Sequence, residues 1–208
     1  LRKFGDTYYW YGSANGFTNQ TCYTSKDLLH WTNKGVVLEA PRTNRMDVLY
    51  NDSTRQYVMF LKTGPSDGCE LGIATSPTPD GKFTLVGNQL VHGSKIGDMS
   101  VWQDDDGNAY LAYVWDSIPG ANSGGVSQHA FALLSPDYLT VSKRMWLWNR
   151  GSREAPMMMK RGSRSNQSPA YAFFECPAIT GFPLMGVVDE GLIMVDQPGR
   201  HDRLRRDG

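Results

Sequence analysis

Glu154 sits in RGSREAPMMMK, one acidic residue between an arginine and a small apolar pair, shortly after the apolar run MWLW. Asp98 sits in KIGDMSVWQ, directly before the apolar run MSVW, and Asp47 sits in NRMDVLYN, directly before VLY. A charge beside an apolar strand costs free energy unless it is paired or used. A solvated loop accounts for one such carboxylate, but three at matching places in successive segments call for chemistry. Two or three carboxylates around a sugar-sized cleft suit glycoside hydrolysis. One stays protonated to give its proton to the leaving oxygen, and another, ionised, activates water. In an inverting enzyme the two stand roughly 6.5–9.5 Å apart so that water fits between them. A third carboxylate nearby raises the pKa of the acid by like-charge repulsion.

Residues this far apart in sequence meet only if a repeating fold carries them to one axis. Three segments read alike. GDTYYWYGS (5–13) is followed by CYTSKDLLHWTNKGVVL (22–38), and TRQYVMFLKT (54–63) by ELGIATSPTPDGKFTLVG (70–87). DGNAYLAYVW (106–115) is followed by HAFALLSPDYLTVSKRMWL (129–147). Each opens on a turn, continues through a Tyr-, Phe- and Val-rich run with a tyrosine at Tyr8, Tyr57 or Tyr110, and reaches a second apolar run ending at Ser25, Ser76 or Ser135. Alternation and β-branched or aromatic runs prevail, and helix-period spacing is scarce. A period of roughly fifty residues built from short antiparallel strands is the signature of a β-propeller blade. The competing arrangement is a sandwich with coincidentally similar hairpins. In a propeller the innermost strands line the central channel, so Asp98 and Glu154 are expected to face each other there. The acidic run in QDDDGNAY (103–110) reads instead as a hairpin turn, with Asp104, Asp105 and Asp106 as turn residues.

The expected fold is all-β: a partial propeller over 1–161, with three recognisable blades and a fourth starting near EAPMMMKRG, then an irregular tail over 162–208. The tail has no matching Tyr strand or Ser turn, and a divergent fourth blade is the alternative for it. The chain starts at Leu1 and runs straight into strand-like sequence, so either a signal peptide has been removed or the chain begins mid-protein, and the blade count with the tail gives the expectation of an incomplete chain.

Of the 208 residues, 40% are hydrophobic and 20% charged, the balance of an ordinary globular protein. Six Trp and ten Tyr favour strands and supply flat surfaces on which sugars stack. Zero net charge gives no footprint for nucleic acid or an anionic membrane. No apolar run approaches the ~18 residues that span a bilayer. Cys22, Cys69 and Cys176 lack metal spacing, and His30, His92, His129 and His201 are scattered, so neither a metal nor a cofactor is expected. The triplets at Asn19, Asn51 and Asn166 fit the glycosylation pattern and lean towards secretion.

On GDTYYWYGS, YTSKDLLHWTNKGVVL, RMDVLYNDSTRQYVMFLK, GDMSVWQDDDGNAYLAY and REAPMMMKRG the sequence resembles glycoside hydrolase family 43, over roughly residues 4–161. These are five-bladed propeller enzymes acting on arabinan, xylan and galactan, and the likeness is greatest to the exo-β-1,3-galactanase-like branch. The resemblance implies a secreted monomeric glycosidase that cuts β-1,3-galactan or arabinogalactan side chains and takes a polysaccharide or oligosaccharide as its partner. It implies Glu154 as general acid and Asp98 as the aspartate that orients it. The family's usual base lies upstream of GDTYYWYGS. In this branch that base is generally lacking, and a side chain from a later blade handles water. Where the branch carries ERPKVLYN, this chain has Asn44 in place of a substrate-contacting Glu and Asp47 in place of a Lys. Asp47 is then a substitute carboxylate or a surface residue, and Arg45 a sugar contact or the partner of a neighbouring acid. Trp10, Trp102 and Trp115 are candidate stacking platforms, or else inter-blade core. The alternative function is an inactive fragment or a carbohydrate-binding propeller.

Overall fold

Short apolar runs broken by Gly, Asp and Ser turns give a chain made of strands. The computed structural model describes residues 1–14, 17–40, 42–64, 69–115, 128–149, 153–161, 170–177, 184–188, 193–196 and 200–203, and these contain no helix. The first sheet holds β1 (Arg2–Phe4), β2 (Thr7–Ala14), β3 (Asn19–Ser25) and β4 (Thr32–Glu39). The second holds β5 (Thr43–Asn51), β6 (Gln56–Thr63), β7 (Glu70–Ser76) and β8 (Thr84–Gln89). The third holds β9 (Ile96–Gln103), β10 (Ala109–Trp115), β11 (Gln128–Leu134) and β12 (Val141–Asn149). Each is an antiparallel meander in chain order.

The repeated tyrosines mark one rung of the ladder. Tyr8 pairs with Lys3, Tyr57 with Tyr50 and Tyr110 with Trp102, each across the first hairpin of its sheet. The repeated serines close the next turn. Ser25 Oγ accepts from the Leu28 N–H at 2.8 Å, and Ser135 Oγ from the Thr140 N–H at 2.9 Å. Both turns pass through a left-handed residue, Leu28 or Tyr138, each with φ of 65°. The acidic run 104–106 is a turn, as read from the sequence. Asp104 and Asn108 close it through an N–H···O bond of 2.8 Å, and Gly107 supplies the φ of +82°.

Successive side chains of the second sheet face opposite ways. Val48, Met59, Leu61 and Ala74 pack against Tyr11, Cys22 and Val37 of the first sheet, together with Phe83 from the β7–β8 connection. Leu49, Val58, Phe60, Leu71 and Ile73 pack against Ile96, Met99, Val101, Leu111 and Tyr113 of the third. The second sheet is thus covered on both faces. The first strands run together, β5 along β9 and β9 along β13 (Arg153–Arg161). Stacked sheets with converging first strands are propeller blades.

Past Arg161 the pairing continues. β14 (Ala170–Pro177) pairs with β13 and with β15 (Leu184–Val188), and β16 (Ile193–Asp196) pairs with β17 (Arg200–Arg203). Within the stretch expected to be an irregular tail, the described residues include these strands.

Candidate active site

The inner strands β5, β9 and β13 each carry one extra residue at the same height. On β5, Asn44 pairs with Lys62 and Asp47 with Phe60, so Arg45 and Met46 share the place opposite Leu61. On β9, Ile96 pairs with Trp115 and Met99 with Tyr113, so Gly97 and Asp98 share the place opposite Val114. On β13, Glu154 pairs with Cys176 and Met157 with Phe174, so Ala155 and Pro156 share the place opposite Glu175. A bulge of this kind bends its strand and re-aims a side chain, and such bulges concentrate beside active sites.

These registers refine the expected equivalence of the three carboxylates. Glu154 immediately precedes its bulge, Asp98 lies within its bulge, and Asp47 immediately follows its own. Glu154 and Asp98 therefore lie at matching bulges of neighbouring strands, two residues apart in register. The side chain of Glu154 lies outside the described residues, as does that of Trp115.

Asp98 is 7% exposed and carries an ion pair on each oxygen. Arg45 Nη2 lies 2.9 Å from Oδ2, and Lys62 Nζ lies 3.4 Å from Oδ1. Desolvating a carboxylate this far is tolerable only with such compensation. Of the two roles open to Arg45, the pairing with an acid is present, and the guanidinium, 49% exposed, keeps donors to spare. Arg45 adopts φ of +51°, a left-handed conformation that is strained for a residue with a Cβ. Asn44 stands one residue before the bulge. Its Oδ1 is shut off from solvent and accepts no hydrogen bond from the described residues.

Asp47 is neither a free carboxylate nor a surface group. Arg2 grips both of its oxygens through Nε and Nη2 at 2.7 and 2.6 Å and also donates to the Val101 carbonyl at 2.6 Å. That clasp ties β1, β5 and β9 together. Trp102 stacks on Tyr110 with centroids 5.6 Å apart, four residues beyond Asp98, hence ~13 Å further along the strand. Trp10 is 53% exposed on the first sheet, beside Tyr23 and Trp31. Neither indole is brought to the bulges. Among the described residues no group of three His, Cys, Asp or Glu side chains could hold a metal ion.

Lys62 is the site residue that the sequence reading missed. It closes the run YVMFLK, where Val58, Met59, Phe60 and Leu61 are all fully buried. A lysine ending such a run is the available signal, but its partner is 36 residues away on another sheet.

A model of glycosyl hydrolases family 43 matches residues 1–165. The chain belongs to glycosyl hydrolases family 43. A family relative in sequence, the β-D-galactofuranosidase of Aspergillus niger, is 27% identical over 185 residues, 77% of this chain and 52% of its own. An exo-β-1,3-galactanase from Clostridium thermocellum superposes with a TM-score of 0.76 at 27% identity, over 99% of this chain and 47% of its own. An exo-β-1,3-galactanase from Phanerochaete chrysosporium, crystallised with β-1,3-galactotriose, gives 0.75 at 23% identity, over 99% and 48%. The chain thus spans about half the length of these relatives. The propeller fold expected from the repeats is the fold of these structures.

Proposed function

We propose that the protein hydrolyses O-glycosidic bonds of plant cell-wall polysaccharide, namely β-1,3-galactan or arabinogalactan side chains, with inversion at the anomeric carbon. The observation that carries this reading is that Asp98 and Glu154 stand at matching bulges of the adjacent inner strands β9 and β13 of a family 43 chain. The galactanase and galactofuranosidase relatives support the galactose-containing substrate. Glu154 is the general acid that protonates the leaving oxygen. Asp98 orients that acid and interacts with its charge. Arg45, half-exposed, offers donors to sugar hydroxyls beside this pair, and Asn44 is the neighbouring candidate contact, although its Oδ1 is shut off from solvent. Asp47 and Trp102, also candidate sugar contacts, are engaged with Arg2 and Tyr110 instead. Residues 1–161 form the catalytic unit, working as a monomer outside the cell, where such polysaccharides lie.

The test is the release of galactose from β-1,3-galactooligosaccharides by the full-length protein, with the first-formed anomer read by NMR. Glu154→Gln should lower kcat by about 10²–10⁴, and the wild type should release the inverted anomer. Wild-type turnover in Glu154→Gln would contradict the assignment. A second reading, a carbohydrate-binding propeller, is favoured by the Arg2 clasp, which removes Asp47 as the carboxylate that activates water. Sugar binding without turnover, with the same affinity in Glu154→Gln, would establish it.

A further inference from the structure

We propose that Lys62 is a positioning residue for Asp98, holding that carboxylate in the orientation it needs towards the general acid. The proposal rests on the reading of Asp98 and Glu154 as a catalytic pair.

The ammonium is costly where it stands. Lys62 follows four fully buried residues and is itself only 19% exposed. Lysine is almost never placed so unless it has a partner. Its partner is set by the ladder. Lys62 pairs with Asn44, the last rung before the bulge in β5, and the extra residue there swings Arg45 outwards. The two cations then reach Asp98 from different elements, Lys62 from β6 and Arg45 from β5. Each takes its own oxygen, Oδ1 for Lys62 and Oδ2 for Arg45. A carboxylate held at one oxygen still rotates about its Cβ–Cγ bond. One held at both oxygens by groups on two strands does not.

The two arms are unequal. The Arg45 side chain is half-exposed, so water and salt screen its pairing. Lys62 lies largely under protein, where screening is weaker. The Lys62 arm is therefore the one that persists at physiological salt, although its contact is the longer. Lys62 acts on the reaction only through Asp98. Removing it should change turnover more than substrate affinity.

The experiment uses the full-length protein with Lys62→Met, Lys62→Gln and Lys62→Arg. Two properties are read: the orientation of the Asp98 carboxylate in crystal structures of the variants, and kcat and KM for galactooligosaccharide hydrolysis. Lys62→Met, or Lys62→Gln if the methionine variant does not fold, should leave the Asp98 carboxylate turned about its Cβ–Cγ bond. It should lower kcat by about tenfold to a hundredfold with KM changed less than about threefold. Lys62→Arg should restore both properties. An Asp98 carboxylate placed as in wild type in the neutral variants would overturn the proposal. So would a folded Lys62→Arg no better than the neutral variants. The structures need no turnover. A turned carboxylate in the variants of a wild type that hydrolyses nothing would sink the glycosidase reading, and the catalytic role of Lys62 with it, while leaving the Lys62–Asp98 contact standing.

Discussion

Asp47 and Asp98 look alike in sequence, each an aspartate directly before an apolar run, and their surroundings give them different work. Asp98 is met by two cations from the second sheet, one of which has donors left for a ligand. Asp47 is gripped on both oxygens by Arg2, whose remaining reach goes to a backbone carbonyl. That clasp is half-buried and charge-assisted, so it contributes to stability rather than to sugar recognition. Arg2→Met should lower unfolding stability by about 1–3 kcal/mol, measured by denaturant melt, and leave KM for galactooligosaccharides unchanged. A large rise in KM with unchanged stability would return Asp47 to the substrate site. The sequence picked out the acids because a charge abutting an apolar run is visible in one dimension. It did not show their partners, because Arg2 lies 45 residues from Asp47 and Lys62 lies 36 from Asp98.

At the level of the strand, the site is a set of three matching bulges. The tyrosine rungs were legible, since Tyr8, Tyr57 and Tyr110 repeat in sequence and occupy one ladder position. The bulges were not. A single extra residue leaves no compositional mark, yet it flips every following side chain to the other face. This is why Asp47, Asp98 and Glu154 seemed equivalent and prove to be staggered about a common bulge. Gly97 is the narrow point of the β9 bulge. A Cβ added there would lie 3.0 Å from the Val114 Cβ and 3.1 Å from its Cγ1. Gly97→Val should displace the β9 bulge, lower stability by about 1–3 kcal/mol, and cut kcat because Asp98 moves with the backbone. Wild-type turnover in a folded Gly97→Val protein would show that the bulge does not position Asp98.

On the scale of the whole molecule, the first strands of successive blades bring residues from three stretches of the chain to one axis. Asn44 to Asp47, Gly97 and Asp98, and Glu154 are each separated by about fifty residues, and only a repeat of that length brings them to matching bulges. The second sheet is the centre of this arrangement, buried on both faces, and it supplies both cations that meet Asp98. The blades were readable because each repeats its turn, its Tyr strand and its serine in order. The strands after Arg161 were not, because Tyr171 stands alone on the tyrosine rung there, with no closing serine after Ala170–Pro177 to mark the repeat. The account turns on Asp98 and Glu154 working as one unit at that axis. The most direct measurement is a double-mutant cycle on kcat with Asp98→Asn, Glu154→Gln and the combined variant. Groups that act together are non-additive. The double variant should therefore be no worse than about threefold below the weaker single one. Losses that multiply in full would mean that the two carboxylates act independently, contradicting a shared catalytic centre.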